Sequence, residues 1–194
     1  MSLKIIMAPY DVYWAPVGEA FPVVEVAPAG NWIVLGSVGA LNINEDGVTV
    51  SGPQTFEQFR SAGSAAPQEV SRTEEDVIVA LQLHDLDPAM LRLALNQNAV
   101  ANTAAGGGFA GFDEIPLERG AGKPNEIALL VRGPSPLFDG GNAQFELKRC
   151  YNSGTYELGY SKNITTGIQL EFTALRATSA PFLGNLVSQA SAVV

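Results

Sequence analysis

From Arg72 to His84 the chain has a period of two. Thr73, Glu75, Val77, Val79, Leu81 and Leu83 fall on one face of an extended segment, and Arg72, Glu74, Asp76, Ile78, Ala80, Gln82 and His84 on the other. A helix would scatter those aliphatic side chains around its circumference, so the pattern requires a half-buried strand. A second run repeats it: Ile164, Thr166, Ile168, Leu170, Phe172 and Ala174 alternate with Thr165, Gln169, Glu171 and Thr173. Shorter β patterns occur at Trp32 to Leu35, Ala40 to Ile43, Val48 to Val50, Ile127 to Val131 and Ala143 to Tyr151, where Phe145 and Leu147 share a face. Glu45-Asp46-Gly47 and Asp139-Gly140-Gly141-Asn142 read as turns. One strong helix stands against them, over 85–96. Asp87 can cap its first turn, Pro88 suits the first helical position, and Leu86 can staple against Leu91. Asn96 to Asn98 end it. Many strands and one helix predict a mainly β fold, an antiparallel β-sandwich or half-barrel with one flanking helix.

The elements divide the chain into an extended N-terminal arm (1–30), a β domain (31–178) and a C-terminal extension (179–194). Pro9, Pro16, Pro22 and Pro28, with Gly18 and Gly30, disfavour helix and central strand alike over the first thirty residues. Yet Tyr10, Tyr13, Trp14 and Phe21 give this segment too many aromatics for a disordered linker, so it needs a surface to lie on, its own domain or a neighbour. The tail after Arg176 is small and apolar and reads as a second arm. Phe56 to Arg60 and the strand beginning near Arg72 form a long hairpin, with a small-residue tip at Ser61 to Gln68. Residues 97–126, with Gly106-Gly107-Gly108 and Gly120-Ala121-Gly122, read as loop.

Charged residues make up 16% of the 194, against about 25% in an ordinary soluble domain, while 46% are hydrophobic. No run of about eighteen apolar residues explains the deficit as a membrane span, so contact between subunits is the better explanation. The net charge is −9, which excludes attraction to nucleic acid through a basic surface. The acid is unevenly placed: residues 1–98 hold 12 acids and 4 bases, and residues 99–194 hold 8 acids and 7 bases. The opening stretch Ile5-Ile6-Met7-Ala8-Pro9 is too short for the core of a signal peptide, so synthesis and retention in the cytoplasm are expected.

Chemistry-bearing constellations are scarce. His84 is the one histidine and Cys150 the one cysteine, so neither a histidine-rich metal site nor an intrachain disulfide can be assembled. The position of His84, between a strand and the helix, suits a surface or capping residue. Glu74-Glu75-Asp76 is the densest acidic cluster, and strand alternation divides it between two faces. Gly106-Gly107-Gly108 lacks the Lys-Ser or Lys-Thr of a phosphate loop, and Asn163-Ile164-Thr165 matches a glycosylation acceptor only by chance in a cytoplasmic chain. No catalytic, cofactor-binding or metal-binding residues are expected.

The order of features resembles a known family. Trp32-Ile33-Val34-Leu35-Gly36-Ser37-Val38-Gly39-Ala40-Leu41 precedes the long hairpin. Arg72-Thr73-Glu74-Glu75-Asp76-Val77 then runs through a hydrophobic strand into Asp85-Leu86-Asp87-Pro88-Ala89-Met90-Leu91, and Leu170-Glu171-Phe172-Thr173-Ala174-Leu175 follows late. Over roughly residues 32–178 this is similar to the major tail proteins of phages with long, non-contractile tails, and to the equivalent subunit of phage-like gene transfer particles. The resemblance implies a virion structural protein, assembled in the host cytoplasm as hexameric rings stacked into a tube through which DNA passes without specific binding. Its partners would be further copies of itself and, by the same resemblance, the terminator, tape-measure and distal tail proteins. No membrane is implied.

Under that resemblance Glu74 and Asp76, then Glu45, Asp46 and Glu57, are the candidates for facing the lumen. Phe56, Phe59 and Arg60 would contact the next ring, and Tyr10, Tyr13, Trp14 and Phe21 would make the arm contacts. Two related alternatives are the inner tube of a contractile tail and that of a secretion system. From a different class, a β-sandwich carbohydrate-binding or adhesion module could stack sugars on Tyr10, Tyr13 and Trp14. A cytoplasmic enzyme ranks third, because no polar site converges.

Overall fold

A computed structural model of the chain describes residues 10–85, 87–96, 100–118, 122–158 and 167–190. The strands are β1 (Asp11–Pro16), β2 (Ile33–Val34), β3 (Ile43–Ser51), β4 (Gln54–Phe59), β5 (Glu69–Glu75), β6 (Ile78–Leu83), β7 (Ala101–Thr103), β8 (Phe112–Glu114), β9 (Ile127–Pro134), β10 (Asn142–Asn152), β11 (Ile168–Ala174) and β12 (Asn185–Ser188). One helix, α1 (Pro88–Ala94), follows β6, and a short 3-10 turn at Gly39–Asn42 precedes β3. The expected mainly β, antiparallel architecture is what the chain adopts, with a single α-helix among the described residues.

Seven strands run in the order β2-β1-β9-β10-β11-β6-β3, all antiparallel, and β12 also pairs with β10. β10 is the hinge of this arrangement. Along one edge it follows β9; its other edge is divided, with Ala143 to Glu146 on β12 and Cys150 to Asn152 on β11. A register shift between Leu147 and Cys150 bends β10 where it passes from one partner to the other. The sheet therefore folds on itself, and a single cluster joins Val12, Leu129, Val131 and Leu147 to Val79, Leu81, Leu83, Ile168, Leu170 and Phe172. Burial of β6 and β11 alternates as the sequence pattern requires. Ile164 to Thr166, which the pattern adds to β11, lie outside the described residues.

Helix α1 lies on β11 and contributes Met90, Leu93 and Ala94 to the core. The Asp87 side chain accepts from the Ala89 amide at 3.1 Å, and Pro88 occupies the first turn, as the start signals predict. The proposed Leu86 staple lies outside the described residues. Just past the C-cap Leu95, Asn96 takes a φ of +53°, a left-handed conformation that asparagine tolerates. Buried Asn152 ties this end down: its Nδ2 donates to the Ala94 carbonyl at 2.9 Å and its Oδ1 accepts from the Glu171 amide at 3.0 Å.

The N-terminal segment departs from expectation. Residues 10–32 are not a free arm: β1 lies inside the sheet between β2 and β9, with Val12 and Ala15 fully buried. The prolines do not prevent this, because Pro16 falls on the strand's last residue, where a missing N–H breaks little of the ladder. The chain then runs as a strap across the outer face of β9 and β10. Arg132 donates to the Val23 carbonyl at 3.0 Å and to Gln144 Oε1 at 3.0 Å from Nε. Gln144 donates to the Pro22 carbonyl at 2.8 Å, and Asn142 to the Val24 carbonyl at 3.1 Å. Phe21 and Trp32 pack at 5.0 Å between ring centroids, over Ala15, Ala128 and Leu130. The C-terminal extension is likewise no free arm over 185–188, since β12 joins the sheet.

Burial pushes the Arg132 guanidinium below its ordinary pKa, with Tyr13 and Glu146 acting against the shift. Arg132→Met would leave Gln144 Oε1 and the strap carbonyls of Val23 and Val26 without their donor in a site only 8% exposed. A loss of about 3 kcal/mol is expected, lowering the midpoint of thermal unfolding by roughly 6–12 °C. A change below about 1 kcal/mol in urea unfolding would mean that solvent replaces the latch.

Candidate assembly surfaces

β4 and β5 form a ribbon apart from the main sheet, and every residue of both strands is exposed. The single strand expected over 72–84 is thus two strands. The chain leaves the ribbon at Asp76, whose amide donates to the Pro53 carbonyl at 3.1 Å, and enters the sheet at Ile78. The long hairpin itself is present, closed near its tip by the Gln68 amide donating to the Phe59 carbonyl at 2.9 Å. Arg60 braces that tip through the Ala65 carbonyl at 2.7 Å and Gln58 Oε1 at 2.9 Å. Phe56 and Phe59 are 52% and 62% exposed, so neither belongs to the core.

The register assigns each ribbon side chain to a face. Thr55 is opposite Glu74 and Phe56 opposite Arg72, which leaves Thr73 as an extra residue, a bulge. One face therefore carries Gln54, Phe56, Gln58, Val70, Arg72 and Glu75; the other carries Thr55, Glu57, Phe59, Glu69, Ser71 and Glu74. Side-chain contacts agree: Arg72 meets Glu75 at 2.8 Å and lies 6.0 Å from the Phe56 ring centroid, while Thr55 Oγ1 donates to Glu74 at 3.2 Å. Simple alternation puts Arg72 and Glu74 together and Glu75 opposite them; the bulge exchanges the two glutamates. Phe56 and Phe59, three residues apart on β4, lie on opposite faces by simple alternation.

Of the proposed lumen acids, Glu57 and Glu74 share a face of the ribbon, joined by Glu69, which single-strand periodicity did not single out. Asp76 is exposed at the base of the ribbon. Glu45 and Asp46 lie at the other end of β3, in an irregularity between Ile43 and Val48 where Gly47 takes a φ of +72°. There Asn44 holds both Asp46 and Gln82, and a shallow polar cleft of about 270 Å³ is lined by Asp46, Gln82, Gln169 and Glu171. The expected turn at Glu45-Asp46-Gly47 is therefore a bulge inside a strand.

The proposed arm residues make contacts within their own chain. Tyr10 and Trp14 pack against the main core, and Tyr13 and Phe21 against the cluster under the strap. Gly133 admits the Tyr10 ring, since a Cβ there would sit 2.4 Å from it. Burial raises the phenol pKa values of Tyr10 and Tyr13, and at Tyr13 the neighbouring Asp11 adds to the rise. The Arg92 guanidinium lies 5.7 Å from the Trp14 ring centroid.

A second hairpin, β7 with β8, occupies the stretch read as loop. It has no core of its own, and Phe109 and Phe112 are 81% and 57% exposed. The period-two signal was too short there to register over three-residue strands.

Among the described residues, no three His, Cys, Asp or Glu side chains converge as metal ligands. His84 is half-buried, and its Nδ1 has no hydrogen-bond partner among the described residues. Cys150 is buried with its thiol on the Ile127 carbonyl, and burial pushes its pKa up, so it is poorly placed as a nucleophile.

Next to β9, Arg149 Nη2 donates to Glu126 at 2.7 Å, and that hydrogen bond holds the Glu126 carboxyl below its ordinary pKa against the opposing effect of burial. A lowered folded-state pKa stabilises the fold above the ordinary carboxylate range, and the contribution disappears as pH falls through the lowered value. Arg149→Met should therefore lower the unfolding midpoint by an amount that is constant above roughly pH 5 and shrinks below roughly pH 4. A pH-independent gap between the two melting curves would assign the loss to packing.

Comparison with protein-family models and with curated proteins finds no match to this chain.

Proposed function

We propose that this chain is a structural subunit of a phage-type tail tube, forming hexameric rings that stack into a conduit for DNA. Support comes from one observation above all: the β4–β5 ribbon projects from the sheet with all its residues exposed and with Phe56, Phe59 and Val70 in water. A two-stranded ribbon is marginal in isolation, and exposed aromatics on it gain most by burial against another molecule. The exposed phenylalanines of the β7–β8 hairpin and the sparse charge point the same way. Excess acid, with Asp76, Glu45 and Asp46 as lumen-facing groups, suits a channel that duplex DNA must cross without adhering.

Sugar stacking on Tyr10, Tyr13 and Trp14 has less support, since all three rings are partly occupied by the subunit's own packing. Negative-stain electron microscopy of the purified chain over rising concentration tests the proposal. Rings and hollow tubes are expected; a small discrete species at every concentration would overturn it.

A further inference from the structure

We infer that the two faces of the β4–β5 ribbon are complementary halves of one contact, so that the acidic face of one copy packs on the arginine face of the next. The inference rests on the tube reading and names the partner of this surface as a second copy of the chain. Glu57, Glu69 and Glu74 give the acidic face three carboxylates, and its register positions include no cation. The opposite face carries Arg72, and Arg60 joins it by following Phe59 in the alternation and bonding to Gln58. Its one carboxylate, Glu75, is already paired with Arg72. Each face also offers an exposed phenylalanine, Phe59 among the acids and Phe56 beside Arg72.

The Thr73 bulge decides which glutamate joins each face and not the charge of either: with strict alternation Glu74 would sit beside Arg72 and Glu75 among the acids. Two unlike faces on one element make a head-to-tail contact, which propagates around a ring or along a fibre and does not stop at a dimer. Six residues of a two-stranded ribbon present roughly 200 Å² per face, well under the roughly 800 Å² per partner of a stable interface. The ribbon therefore supplies direction and register within an assembly that other surfaces also hold. Glu57 and Glu74 belong to this contact and not to the lumen.

Charge reversal in two separate full-length chains tests the inference. One carries Glu57→Lys, Glu69→Lys and Glu74→Lys, and the other Arg60→Glu and Arg72→Glu. Each alone should lose at least about tenfold in sedimentable polymer, because like faces meet, while an equimolar mixture should recover to within about twofold of wild type by alternating the two chains. Polymerisation of either variant alone at the wild-type level would overturn the inference and leave the tube reading intact. So would failure of the mixture when both chains melt like wild type. Wild-type chain that stays monomeric would overturn both. Should a reversed chain fail to fold, Glu57→Gln with Glu74→Gln replaces it; this pair should cut polymer several-fold, and unchanged assembly would overturn the inference.

Discussion

Deleting residues 1–29 should leave a chain that does not fold, not a folded subunit that fails to assemble. The deletion removes β1 from between β2 and β9, taking six positions paired with β9 from inside the sheet together with the fully buried Val12 and Ala15. It also removes the strap, leaving Arg132, Gln144 and Asn142 without the carbonyls of Pro22, Val23 and Val24. Burial of each large apolar side chain is worth about 1.5–3 kcal/mol, and an orphaned buried charge costs about as much again or more. Together these losses reach the roughly 5–15 kcal/mol by which a whole domain is stable. Circular dichroism should lose its cooperative thermal transition. A truncated chain that melts at the full-length midpoint and fails only to polymerise would restore the segment to the role of an arm.

Replacing Phe56 and Phe59 together by alanine should have the opposite profile. Both rings stand on a ribbon outside the core, so the unfolding midpoint should move by less than about 1 kcal/mol allows. Assembly should suffer heavily, because a buried aromatic anchor at an interface is worth about 2 kcal/mol or more, roughly thirtyfold in an equilibrium constant. The two rings lie on opposite faces, so each single variant should weaken contact with a different neighbour and the double should be worse than either. Tube yield and critical concentration by sedimentation measure the effect. Normal polymerisation of the double variant would separate the ribbon from assembly.

Where the sequence carried a long pattern, the structure was legible. β6 and β11 sit where period two places them, and Asp87 with Pro88 starts the helix as their chemistry demands. β1 was hidden because proline counts describe where a ladder cannot continue; Asp11 to Ala15 fits between Pro9 and Pro16. β12 was hidden because four residues on a shared edge carry no periodicity of their own. Of the candidate surfaces, sequence located the hairpin and its phenylalanines but not the two faces. A bulge is invisible in one strand and appears only once the partner's register is known, which is why Glu69 was missed and Glu74 was grouped with Arg72.

The pairing of Val12 with Val131 also sets the order of events during synthesis. β1 emerges early but has no main partner until β9 follows more than a hundred residues later, and β10 waits in turn for β12. Such long sequence separation makes closure of the body slow, whereas the β4–β5 ribbon joins residues close in the chain and can form within microseconds. A nascent chain thus presents its exposed ribbon, with Phe56 and Phe59, before it has a body to support it. Premature association is then limited by how rarely two incomplete chains meet, so yield of assembled protein should fall as expression rate rises.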